Sequence, residues 1–90
     1  MKGTPKQIEI AEEKKAAFNR ILKGLFTADI ENLDTPASKL VRGTRDRINN
    51  APASWWLENV SRATQLDGNE VNQLMAGVAQ NKDWAVNGID

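Results

Sequence analysis

Chemistry in this chain has to be done without histidine and without cysteine. The commonest general base near neutral pH and the commonest metal ligand are therefore both missing. So are thiolate nucleophiles, disulfides and sulfur-ligated metals. Carboxylates are plentiful, with twelve acidic residues, but no spacing sets two of them around a shared pocket. No glycine-rich loop follows a strand, as a phosphate cradle would require. The residue types thus argue against an enzyme and against a small-molecule substrate, and they call for no cofactor and no metal. What remains is recognition chemistry. It lies in the adjacent Trp55 and Trp56, in a basic stretch at Lys39, Arg42, Arg45 and Arg47, and in an amide-rich stretch at Asn69, Asn72 and Gln73. Tryptophan is enriched at binding hot spots, which makes Trp55 a candidate protein-interface residue.

The elements that must position these groups are helices. Thr4-Pro5-Lys6-Gln7 opens the first: Thr4 caps, Pro5 fills a first-turn position where its missing N–H costs nothing, and Gln7 reaches back. At about 100° per residue, Ile10, Ala11, Ala17, Phe18, Ile21, Leu22 and Leu25 then fall in one stripe. Glu9, Glu12, Glu13, Lys15, Asn19, Arg20 and Lys23 lie opposite. Lys14 falls inside the apolar arc, so the first turns are expected to overhang the core while Lys14 snorkels to water. A helix over 5–26 would be a rod of about 30 Å, long for a 90-residue chain. Its overhang is a candidate dimer seam, with Phe18 and Leu25 as interface residues.

Ala28 to Asp34 reads as a connecting loop. Thr35-Pro36 repeats the cap-plus-proline signature and opens a second helix over 36–49, with Leu40, Val41, Thr44 and Ile48 as its inner face. After the break at Asn49-Asn50-Ala51-Pro52, a third helix is expected over 53–64, with Trp56, Leu57, Val60, Ala63 and Thr64 at core spacing and Trp55 beside that stripe. Leu66-Asp67-Gly68 reads as a tight turn. Asp67 followed by Glu70 is a capping-box-like start for a fourth helix over 69–80, whose Val71, Leu74, Met75 and Val78 repeat at i, i+3, i+4 and i+7. Residues 81–90 read as a tail pinned by Trp84 and Val86. The expected fold class is all-α: one four-helix domain over 1–90, with a long N-terminal helix and a C-terminal helix-turn-helix-like pair.

Val60-Ser61-Arg62-Ala63-Thr64-Gln65-Leu66-Asp67-Gly68-Asn69-Glu70-Val71-Asn72-Gln73-Leu74 carries the apolar spacing of that pair. Ser61 stands at the small contact position, Val60, Thr64 and Leu66 seal the first helix and turn, and Val71 and Leu74 anchor the second helix. The segment resembles the helix-turn-helix of bacterial and phage repressors, of the lactose-repressor and Cro-like type, over residues 57–77. The resemblance implies that the second helix enters the major groove with Asp67, Gly68, Asn69, Asn72, Gln73 and Ala76 facing double-stranded DNA. A side-chain amide can pair bidentately with adenine. Lys39, Arg42, Arg45 and Arg62 would then contact phosphate and set orientation. The pattern departs from the family in the turn, where Gln65 stands at the position that usually carries glycine, and in the cation-free run Asn69 to Asn81.

Charge bears on that reading. Twelve basic and twelve acidic residues cancel, so no global field draws the chain to nucleic acid or anionic membrane. No apolar run approaches transmembrane length, and Met1 to Glu13 has no signal-peptide core, so the expected location is the cytoplasm. Two functions follow as expectations. One is a homodimeric transcription regulator that binds DNA through a helix-turn-helix. The other is a helical adaptor or inhibitor that docks on a larger protein through Trp55. A homo-oligomer joined along the first helix is a third arrangement.

Overall fold

A computed structural model describes residues 1–26 and 32–90. Its helices are α1 (Pro5–Leu25), α2 (Pro36–Asn49), α3 (Ala53–Asn59), α4 (Gly68–Ala79) and the single turn α5 (Asp83–Val86). Among the described residues there is no strand. The connection expected at Ala28 to Asp34 falls partly outside the described residues.

The caps account for the helix starts. Thr4 accepts from the Gln7 amide at 3.2 Å while Gln7 Oε1 accepts from the Thr4 amide at 3.0 Å, which completes the capping box. Thr35 accepts from the Ser38 amide at 3.1 Å, and Asp67 from the Glu70 amide at 2.9 Å. Each side chain takes up one of the amide donors that a helix start leaves without an internal partner.

α1 is the central rod. α3 and α4 both pack on it, α2 packs on α4, and α5 closes on α4 from another side. The expected overhang is absent. Ala53 donates its amide to the Lys2 carbonyl at 2.8 Å, so the start of α1 is docked against the start of α3. Gly3 allows that approach, because a Cβ there would stand 2.8 Å from the Ala53 Cβ. Phe18, expected on a dimer seam, has no exposed surface. It meets Trp56 edge to face, with ring centroids 5.6 Å apart.

Trp55 is also a correction. Far from anchoring a partner at the surface, it is 1% exposed. Its ring meets Trp56 edge to face at 5.2 Å, and its indole N–H donates to the Ala85 carbonyl at 2.8 Å. The reason lies in residues 81–90, which are more than a tail: α5 and Ile89 fold back, and Ala85 and Ile89 are buried. α3 therefore has cover on the side that Trp55 faces as well as on the α1 side, and both tryptophans become core.

One boundary and one expected core position differ from expectation. α3 stops at Asn59 instead of running to Thr64, so residues 60–67 form a longer connection than the tight turn expected at Leu66-Asp67-Gly68. In α2, Thr44 and Ile48 are buried as expected, with Ser38 beside them, and Val41 is half-buried, but Leu40, expected inside, is 57% exposed.

Candidate functional site

α4 carries the solvent-facing strip expected to meet a partner, and its position is set by a polar network between α1 and the 60–67 connection. Lys14, on the apolar stripe of α1, does not snorkel to water and is 8% exposed. Its ammonium donates to the carbonyls of Val60 at 2.6 Å, Trp56 at 3.4 Å and Leu57 at 3.5 Å. These carbonyls belong to the last turn of α3 and its cap, groups a helix end leaves unpaired, and a cation there also complements the helix dipole. Asn59 Nδ2 takes the Trp55 carbonyl at 3.0 Å. The end of α3 is thus drawn off by side chains, and Val60 turns to an extended backbone.

Glu70, in the first turn of α4, holds the other side. Its carboxylate accepts from Ser61 Oγ at 2.5 Å and from the Ser61 amide at 2.8 Å. Ser61 therefore serves as a clasp between the connection and α4, in place of the small helix–helix contact expected of it. Burial pushes the Lys14 amine below the usual lysine range; Glu70 opposes the shift and Arg62 adds to it.

The residues expected to face DNA form a solvent-facing strip of α4. Asn69, Asn72, Gln73 and Ala76 are all exposed, opposite the buried Val71, Leu74, Met75 and Val78. Gly68 is only half exposed, because Leu25 and Ile21 of α1 lie against it. Asp67 is occupied as the cap of α4.

The basic residues do not join that strip as a free patch. Lys39 pairs with Asp34 at 3.0 Å. Arg42 donates to the Leu33 carbonyl at 2.6 Å, and Arg45 holds Asp46 at 3.1 Å. Arg47 grips Asp90. Arg62 is exposed on the connection. Moreover, α2 borders α4 at Val78 and Ala79, about 15 Å along the helix from Asn69 at 1.5 Å per residue.

Two features at the C-terminal end of α4 go beyond the sequence expectation, which had Trp84 only as a pin for the tail. The first is Trp84, which is 58% exposed yet firmly seated. Its ring lies on Gly77, where a Cβ would stand 2.6 Å from the indole, so only glycine permits the contact. The signal was phase, since Ala85 and Ile89 face inward at i and i+4 and Trp84 falls outside that stripe. The second is a shallow groove of about 250 Å³ between α2 and α4, into which Leu40 opens. That volume lies below the ~300 Å³ at which small-molecule sites begin.

Among the described residues no group of three acidic residues is placed to hold a metal ion, and no helix is long and apolar enough to cross a membrane. In comparisons with protein-family models, curated proteins and solved structures, nothing matches this chain.

Proposed function

We propose that the protein is a non-catalytic binding module that recognises a protein partner through the C-terminal end of α4. The observation that carries this reading is Trp84. The residue is more than half exposed while one edge of its ring lies against Gly77 of α4. A pre-ordered aromatic offers a large contact area with little entropy left to lose on binding. Charge favours a protein over a polyanion, because the chain has no net charge and the run Asn69 to Asn81, which spans the exposed face of α4, carries no cation.

The test is capture by the immobilised protein in three forms: wild type, Trp84→Ala, and Asn72→Ala with Gln73→Ala. A partner held by the wild type and by the amide double mutant, but lost with Trp84→Ala, supports this reading. Retention by Trp84→Ala at wild-type strength overturns it.

The exposed strip of Asn69, Asn72, Gln73 and Ala76 favours a second reading, duplex DNA bound through α4. An amide-resolved NMR titration with a generic duplex at low salt separates the two. Shifts concentrated on residues 67–76 and on Arg62, fading as salt rises, would move the assignment to DNA, since any DNA binder keeps electrostatic affinity for a duplex.

A further inference from the structure

The groove between α2 and α4 has a definite chemistry. Leu40, Gly43, Val78 and Ala79 give it an apolar lining, and Lys39 and Arg47 bring two cations to it. Arg47 is already acting as a carboxylate receptor. Its Nη2 lies 2.6 Å from Asp90 Oδ2 and its Nε 3.3 Å from Oδ1, the forked geometry in which a guanidinium binds both oxygens. Its third edge is fixed, with Nη1 donating to Asn81 Oδ1 at 2.8 Å. Asn81 stands at φ 54°, a left-handed conformation that asparagine tolerates better than most residues. The Asp90 carboxyl is held below its usual range by its hydrogen bonds to Arg47.

The bound carboxylate is solvent-exposed, at 69%, and surface ion pairs of this kind are weak. Asp90 is therefore a placeholder that a better-fitting acid can displace. An incoming segment would set its carboxylate on Arg47 or Lys39 and a small aliphatic side chain on Leu40, Val78 and Ala79. We propose that this groove takes an acidic peptide segment, an aspartate or glutamate flanked by an aliphatic residue, in competition with Asp90. This rests on the protein-binding reading above and names the chemistry of the partner. Gly77, under Trp84, and Ala79, in the groove, are about 200° apart around α4. Trp84 and the groove therefore grip a partner from two sides of the same helix end.

The experiment is fluorescence anisotropy with a short labelled peptide centred on Leu-Asp-Leu, against the same peptide with Leu-Asn-Leu. The aspartate peptide is expected to bind and the asparagine peptide to bind about three- to fivefold more weakly, the scale of a lost exposed ion pair. Arg47→Gln should cost a similar factor and Leu40→Ser a smaller one. Asp90→Asn should tighten binding by up to about fivefold, the ceiling an exposed ion pair sets. Asp90→Asn is the decisive variant, because it removes a competitor and any loss of fold would act in the opposite direction. Equal affinity for the two peptides, or no gain with Asp90→Asn, overturns the groove assignment. If the peptides fail while Trp84-dependent capture persists, the groove alone is wrong; if both fail, the protein-binding reading falls with it.

Discussion

The two ends of α4 are held by opposite kinds of polar chemistry. At the N-terminal end, Lys14, Glu70 and Ser61 are wholly or partly removed from water, and their hydrogen bonds join α1, the end of α3 and the start of α4. At the C-terminal end, Arg47 and Asp90 form an exposed pair beside an open groove, with Trp84 half out of the surface. Buried polar groups are costly to leave unpaired, so the first set behaves as structure. Exposed pairs cost little to exchange, so the second set is where a partner can intervene. The same contrast separates the tryptophans, since Trp55 is sealed between helices and Trp84 lies on one.

The largest expected effect tests the tryptophans. Trp55→Ala should destabilise the fold by roughly 3–5 kcal/mol, the range for deleting a buried large aromatic, with the lost bond to Ala85 included. Trp84→Ala should cost less than about 1 kcal/mol of stability while removing partner binding. Urea unfolding followed by circular dichroism measures both, and comparable losses in the two variants would erase the distinction.

Lys14→Met comes next. It keeps most of the side-chain volume but leaves the carbonyls at the end of α3 without their donor, at a cost of about 2 kcal/mol. The pH dependence has a definite sign. The Lys14 amine titrates below 10.5 in the folded protein, so between that lowered value and 10.5 the unfolded chain binds more protons. Wild-type stability should therefore gain on that of Lys14→Met as pH rises through this window. A parallel pair of stability curves would show that burial does not depress the amine.

The smallest effect concerns Asp90. Its folded-state carboxyl is held below 3.8 by Arg47, so whatever the pair contributes is present above 3.8 and is lost as pH falls through the lowered value. An NMR titration of the Asp90 carboxyl should show the low midpoint in the wild type and an ordinary one in Arg47→Gln. An unchanged midpoint would remove the receptor role assigned to Arg47.

Much of the fold was legible because local signals settle it. Thr4-Pro5, Thr35-Pro36 and Asp67 with Glu70 mark helix starts through the donors they satisfy, and Val71, Leu74, Met75 and Val78 mark a buried face by their period. The exposure of Asn69, Asn72, Gln73 and Ala76 followed from the same period. The end of α3 was not legible. Val60, Ala63 and Thr64 continue the helical spacing, and what stops the helix is Lys14, forty-two to forty-six positions away from the carbonyls it binds. The groove was hidden for a similar reason, since whether Leu40, at the edge of the inner face of α2, is covered depends on how α2 meets α4.

Residue types and local spacing were enough to give an all-helical chain, the places where most of its helices begin, and a side-chain inventory without histidine or cysteine. Those properties reside in residue types and in spacings of a few positions, where caps and periodicity act. Which tryptophan is buried, that Lys14 closes α3, and that Arg47 meets Asp90 beside an apolar groove came from long-range packing alone. Each of these joins residues tens of positions apart, and burial depends on which surface arrives to cover a side chain. Residues 83–89 covered Trp55 and left Trp84 in water, a choice that neither residue's own neighbourhood encodes.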